Sequence, residues 1–299
     1  MPPIFVSGLI NIETTLRIKA FPLEYNPVNF PFFGIQSAVA GVGYNVSKAL
    51  TALGHEVRLC SLIGNDIAAT QIRAALAADG IADEHVVSAV KATAQAVILY
   101  DGAGRRQIHT DLKAMQEQRY PAAHAAQALQ GCEMAVLCNI NFNRDLLAVA
   151  QRMGIAIACD VHTIADLDDE YNADFMAAAD LLFMSHERLP MAPEAWAEAI
   201  IDRYAPQILV IGLGADGALL AVPRDGLLTR LPARHDLPVV NTIGAGDALF
   251  SAFLHGHLTG LSPHASLHRA ITFAAHKIGH ASASAGFLTA GQLAEASRV

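Results

Sequence analysis

Apolar residues in this chain follow two rhythms. One is the short unbroken run. Ile4-Phe5-Val6 ends at Ser7-Gly8, and Val57-Arg58-Leu59-Cys60-Ser61-Leu62-Ile63 ends at Gly64-Asn65-Asp66. Met134–Cys138, Ile155–Cys159, Leu181–Met184 and Gln207–Ile211 have the same form. Short apolar runs bounded by turn residues predict buried strands. The second rhythm has spacings of three and four. Val42, Val46, Ala49, Leu50 and Leu53 share one helix face that Gly54 closes, and Ile67, Ile72 and Leu76 share another that Gly80 closes. Strands alternating with helices predict an α/β fold: a doubly wound, mostly parallel sheet covered on both faces. Polar residues recur where the strands stop, at Asp66, Asp160 and Glu187. That edge is where open α/β sheets bind ligands. Asn11 and Glu13, just past the first strand, belong there too.

Two stretches break the alternation. Residues 93–113 hold two alternating runs around Asp101-Gly102-Ala103-Gly104, which predicts a hairpin. Residues 21–33 gather Phe21, Tyr25, Phe30, Phe32 and Phe33 in a chain only 6% aromatic. Pro22, Pro27 and Pro31 exclude a regular helix there. An irregular flap with an apolar face serves as a ligand lid, as an interface, or as local packing on the core.

The chemistry concentrates at residues 238–259. Pro238-Val239-Val240 reads as the end of a strand, and Asn241-Thr242 as a turn. Leu249, Phe250, Phe253, Leu254 and Leu258 then form a helical stripe, so Gly244-Ala245-Gly246 lie at a helix start. The first N–H groups of a helix lack intrahelical partners and carry partial positive charge. Glycines let an anion approach them closely. Asp247 sets a carboxylate beside that cradle, which suits phosphoryl transfer: charge stabilisation plus a base for the hydroxyl proton. On local physics alone, Asp247 reads equally well as a helix N-cap.

Composition narrows the classes. With 299 residues, 53% of them hydrophobic, the chain can build a substantial core. A formal net charge of −8 and the lack of a basic run argue against nucleic acid. No stretch reaches the ~18 apolar residues of a membrane span. The first residues lack a basic segment of the signal-peptide kind, so a cytoplasmic location is expected. Cys60, Cys132, Cys138 and Cys159 stand singly in apolar segments and read as reduced core residues. Gly212-Leu213-Gly214-Ala215-Asp216-Gly217 matches G-x-G-x-x-G, but Ala218–Val222 after it reads as a strand. A dinucleotide site needs a helix there, which disfavours an NAD-dependent enzyme. No P-loop pattern occurs. His255 with His257, and His276 with His280, lack the partners of a zinc site.

Asn241-Thr242-Ile243-Gly244-Ala245-Gly246-Asp247 resembles the D-T-x-G-A-G-D signature of the PfkB carbohydrate kinase family, also called the ribokinase family. The resemblance covers nearly the whole chain. It implies a single ribokinase-like domain over residues 1–299, with a small β-sheet lid at about 12–34 and 92–113 and a homodimer through that lid. It implies ATP with Mg2+, Asp247 as base, and an anion hole at Gly244, Ala245 and Gly246. The family's N-x-D appears as Asn11-Ile12-Glu13, and its G-G-x-x-x-N as Ala40-Gly41-Val42-Gly43-Tyr44-Asn45. Asn11, Glu13, Gly41, Val42 and Asn45 are thus the acceptor-binding candidates. Val42 stands where some members carry Lys, which makes the pocket more apolar. Gly212, Gly214, Asp216, Gly217 and His276 are the nucleotide-binding candidates. At the family's N-x-x-E, His186 and Leu189 replace Asn and Glu, leaving Glu187 as the nearest carboxylate for magnesium. Asn241 replaces the Asp that helps hold a monovalent cation, so weak potassium dependence is expected. The implied function is ATP-dependent phosphorylation of a hydroxymethyl group on a sugar or sugar-containing metabolite. Alternatives are a nucleoside kinase of adenosine, cytidine or pseudouridine type and, more distantly, a non-catalytic small-molecule binder.

Overall fold

A computed structural model describes residues 2–298. The chain opens with strands β1 (Ile4–Ser7), β2 (Asn11–Arg17) and β3 (Ile35–Ala40). Helix α1 (Val42–Ala52), β4 (Val57–Gly64), α2 (Ile67–Ala78), β5 (Val86–Val90), β6 (Gln95–Tyr100) and β7 (Arg106–Asp111) follow. Alternation then sets in with α3 (Ala122–Leu129), β8 (Met134–Leu137), α4 (Arg144–Arg152), β9 (Ala156–Thr163), α5 (Ala173–Ala178) and β10 (Leu181–Ser185). The last part holds α6 (Pro193–Tyr204), β11 (Ile208–Gly212), β12 (Ala218–Val222), β13 (Leu227–Leu231), α7 (Ala245–Leu258), α8 (Pro263–Lys277) and α9 (Ala290–Ala296).

The main sheet runs β13-β12-β11-β10-β9-β8-β1-β4-β5. From β11 to β5 every pairing is parallel; β12 and β13 add an antiparallel edge. Successive strand residues point to opposite faces, which builds two cores. Ile4 and Val6 join Leu59, Phe183, Phe250 and Phe253 on one face. Phe5 joins Leu137, Leu146 and Trp196 on the other. The Phe183 ring lies 4.8 Å from that of Phe250 and 5.2 Å from that of Phe253, locking α7 onto the sheet. Truncating a buried Phe typically costs 3–5 kcal/mol, so the helix start that carries Asp247 is firmly placed.

The small sheet runs β3-β2-β6-β7. Its outer pairs are antiparallel, and β2 with β6 is parallel. Its strand β3 lies beyond the expected limit at 34; residues 18–34 form no strand. There Tyr25, Phe30, Phe32 and Phe33 stand exposed, with the Phe30 and Phe32 rings stacked at 6.4 Å. They do not pack on the core.

Three readings change. Pro238–Val240 is not a strand: Val239 and Val240 are exposed, and the Val240 and Asn241 N–H groups both donate to Ile278 O. That shared acceptor makes a turn against the end of α8 rather than a ladder. Strand β9 runs three residues past Asp160, to Thr163. Asp66 is the N-cap of α2, accepting from the Ala69 N–H and from Thr93, so its carboxylate is spent on structure. The Gly212–Gly217 segment joins antiparallel β11 and β12, as the strand after it requires. All four cysteines are free and buried. Among the described residues, no helix is long and apolar enough to cross a membrane.

A buried histidine pair links α7 to the turn after α1. His55 Nε2 lies 2.9 Å from His255 Nδ1, so one ring donates and the other accepts. Burial, then His55, pushes His255 down to about 4; burial also lowers His55. A His with a depressed folded-state pKa contributes stability above the unfolded value near 6.5, which is lost as pH falls through the folded value. The urea midpoint should therefore drop between pH 6.5 and about 4, and His255→Gln should flatten much of that drop. Equal slopes in the two proteins would refute this.

Candidate active site

Two helix starts meet at the carboxyl ends of the strands. The first is that of α1. A Cβ on Gly43 would sit 2.5 Å from the Gly8 carbonyl carbon, so only glycine lets α1 rest on the end of β1. Gly41 caps the helix, and Asn45 extends from its first turn. Val42 packs its side chain against the adjoining core.

The second is that of α7. Its N-cap is Gly244, in left-handed backbone with φ 76°, and a Cβ there would meet Ala283 O at 2.6 Å. Asp247 is therefore inside the helix, and the capping reading falls. No side chain caps this start. Ala245 N–H turns back to Thr242 O, and Ala248 N–H bonds Gly244 O. Among the described residues, the N–H groups of Gly246 and Asp247 have no protein acceptor. Gly246 is exposed, and the nearest atom to a Cβ there would be Asp160 Oδ2 at 3.9 Å. An anion can reach these donors.

Asp247 itself is buried. Asn45 Nδ2 donates to its Oδ2 at 2.7 Å. Burial holds the Asp247 carboxyl above its ordinary range, the Asn45 hydrogen bond and His162 oppose this, and Asp160 adds to it. Glu13, on β2, is buried beside it and is raised to about 7 by burial and then by Asp247, with Lys277 opposing. The Oδ1 atoms of Asn11 and Asn45 are buried without a partner. Orphaned acceptors of this kind are uncommon and point to a missing donor, such as a ligand hydroxyl. The structure thus brings Asn11, Glu13, Asn45 and Asp247 into one buried polar cluster beside the α7 start.

The other candidates stand apart from this cluster. Gly212 ends β11, and its carbonyl lies 2.9 Å from His186 Nδ1. Gly214 and Asp216 form an exposed turn and Gly217 leads into β12. His276 is half-buried, with Arg234, Asp236 and His280 as its charged neighbours. Glu187 pairs with Arg106 at 3.2 Å, and Arg106 also donates to Thr242 Oγ1 at 3.1 Å. Arg106 thus connects the small sheet to the signature loop, whereas Arg105 pairs with Asp101. Sequence reading missed Lys277, which is buried and donates to Ile243 O. The signal was a lone cation in line with the apolar positions Leu267, Ala270 and Phe273 of its helix. It missed His162 too, which follows Asp160 with a positive φ of 59°.

An open-edged α/β sheet, a small second sheet beside it, and a buried carboxylate at a free helix start define a phosphotransferase class with an alcohol acceptor. The chain belongs to the pfkB family of carbohydrate kinases, whose model matches residues 1–290. It is 27% identical over 261 residues to the acarbose 7(IV)-phosphotransferase of an Actinoplanes species, covering 86% of this chain and 85% of that one. To the 1-phosphofructokinase of Haloferax volcanii it is 28% identical over 247 residues, covering 80% and 79%. Among solved structures, a microbiome-derived acarbose kinase superposes with a TM-score of 0.89 at 22% identity, over 100% of both chains. The ribokinase of Thermotoga maritima superposes with a TM-score of 0.80 at 18% identity, also over the full length of both. At these identities the superpositions establish the ribokinase-like fold. Family membership carries ATP as the phosphoryl donor.

Glu13 makes the cluster sensitive to pH near neutrality. Its carboxyl is neutral below about 7 and ionised above. If the ionised form accepts acceptor hydroxyls, the acceptor KM should fall several-fold from pH 6 to pH 8. Glu13→Gln should abolish that trend; an unchanged trend in the variant would remove Glu13 from acceptor binding.

Proposed function

We propose that the protein is an ATP-dependent kinase that phosphorylates a hydroxymethyl group of a sugar or sugar-containing metabolite. One observation carries the reading: Asp247, held by Asn45 at 2.7 Å, lies in the first turn of a helix where, among the described residues, the Gly246 and Asp247 N–H groups have no protein acceptor. In this reading Asp247 accepts the proton of the attacking hydroxyl. Gly244, Ala245 and Gly246 form the anion hole, in which the Gly244 and Gly246 N–H groups take up charge on the transferring phosphoryl group while the Ala245 N–H holds the turn through Thr242 O. Asn11, Glu13 and Asn45 hold the acceptor; the orphaned oxygens of the two asparagines fit hydroxyl donors. Gly41 and Val42 shape the wall beneath it. The glycine turn at Gly212–Gly217 and His276 border the nucleotide. Glu187 is the candidate carboxylate for magnesium, which would come with the triphosphate and offset its charge. Phosphoryl transfer demands mainly positioning and charge stabilisation, which this arrangement offers without a covalent intermediate.

The relatives named for acarbose and for 1-phosphofructokinase favour a sugar. A nucleoside is the second reading, and the exposed aromatics Tyr25, Phe30, Phe32 and Phe33 favour it. An aromatic face stacks on a base with about 1–3 kcal/mol in nucleic-acid complexes. An ADP-release screen over ribose, fructose, ribose 1-phosphate, acarbose, adenosine, cytidine and pseudouridine separates the two. Turnover of nucleosides alone would overturn the sugar reading. With the acceptor so found, Asp247→Asn should lower kcat about 10²–10⁴-fold while leaving ATP binding intact, because Asn keeps the shape and cannot take the proton. Retention of more than about a tenth of the wild-type rate would sink the base assignment.

A further inference from the structure

Lys277 is the last residue of α8, and its side chain is fully enclosed. Among the described residues it makes no ion pair within contact distance. Its ammonium donates instead to a backbone carbonyl, Ile243 O. An enclosed cation whose named partner is a neutral carbonyl is costly, and such a group is retained where its charge is used. The charged groups that face it are Asp247 on α7, Glu13 on β2 and Arg106 on β7.

The carbonyl it holds is the one that matters for the helix start. In a trans peptide the C=O and the following N–H point in opposite directions across one plane. Fixing Ile243 O toward Lys277 therefore aims the Gly244 N–H the other way, out of the loop. No protein acceptor meets that N–H among the described residues. The next peptide back is pinned as well: Asn241 Oδ1 accepts the Ile243 N–H at 2.8 Å, and Asn241 Nδ2 donates to Ala281 O at 3.0 Å. A cation on a peptide oxygen also polarises the unit and makes its N–H a stronger donor.

We propose that Lys277 is a positioning residue of the transfer site: a built-in cation that orients and polarises the Ile243–Gly244 peptide so that its N–H faces the transferring phosphoryl group. This rests on the kinase reading of Gly244–Asp247 given above. Because the ammonium already occupies the inner side of the loop, the enzyme needs no free monovalent cation there.

Kinetics and resonance shifts test it separately. Wild-type kcat should change less than about two-fold when choline is replaced by potassium or methylammonium. Lys277→Ala should lose at least about ten-fold in kcat, with the ATP KM within about three-fold of wild type; a full anion-hole donor is worth about 10²–10³. Methylammonium or potassium should restore part of that rate by entering the vacated space. Many-fold potassium activation of the wild type, an unchanged kcat in Lys277→Ala, or a loss that no cation reverses would each overturn the proposal. The second readout needs no turnover. Burial, opposed by Asp247 and Glu13 and aided by Arg106, lowers Lys277 to about 8. The carbonyl carbon resonance of Ile243 in the wild type should shift as pH rises through that value, and stay fixed in Lys277→Met. A wild-type resonance that stays fixed up to the pH at which the protein unfolds would overturn the proposal even if Lys277→Ala does not fold. Absence of wild-type turnover on every acceptor would count against the kinase reading, and the resonance would still decide on Lys277.

Discussion

The hydrogen bond from Asn45 to Asp247 is the contact on which the site depends. It joins the starts of α1 and α7, elements about two hundred residues apart in sequence, at 2.7 Å. A buried carboxylate without such a partner would take up a proton or drive the helices apart. Each end of the bond has its own foundation. Gly8 and Gly43 allow α1 to rest on β1, and the Phe183, Phe250 and Phe253 rings clamp α7 to the sheet. Backbone contact fixes one helix and aromatic packing the other. The acceptor side and the phosphoryl side of the site thereby share one polar hinge point.

Around that bond, burial pulls the ionisable groups toward neutrality. Glu13 rises to about 7, Asp247 rises, and Lys277 falls to about 8. The loss of water is the largest cause of each shift; like charges add to it and opposite charges moderate it. For Asp247 in the proposed role of base, a raised carboxyl is the useful direction, since basicity grows with pKa. For Lys277 the same loss of water makes its positive charge more effective, because nothing screens it. Asp247 and Lys277 thus gain opposite benefits from a single enclosure. Asp160, against Gly246, adds negative charge at the open side, where a nucleotide's counter-ion would be welcome.

Much of this could be read along the chain because its signals are local. The apolar runs gave seven parallel strands all but one, since burial on both faces needs continuous apolar sequence. Strand β5 escaped notice because Val86–Val90 is half-exposed at the sheet edge and carries little pattern. Gly244–Asp247 was legible as a helix start because such a start announces itself by glycines followed by a stripe. The turn at Pro238–Val240 was misread because β-branched residues signal a strand regardless of where their N–H groups go. The place of Lys277 beside the signature loop could not be found by spacing. Lys277 follows the Gly244 loop by some thirty residues, and only the packing of α8 on α7 brings its ammonium beneath Ile243.

Ile243 also explains how the small sheet reaches the chemistry. Its carbonyl belongs to Lys277, while its side chain packs with Ala283 and with Ala40 and Ile98 of the small sheet. The other link between sheet and loop, Arg106 to Thr242 and Glu187, is exposed, and exposed ion pairs are worth about 0–1 kcal/mol. A buried isoleucine is worth roughly 1.5–3 kcal/mol. The apolar contact is therefore the stronger coupling. A shift of β3 or β6 that disturbed Ile243 would act on the same peptide plane that presents the Gly244 N–H. Asn11 and Glu13, the acceptor contacts we propose, lie on β2, the strand between β3 and β6. The small sheet and the Ile243–Gly244 peptide are in this way linked through one residue, with no moving charge required between them.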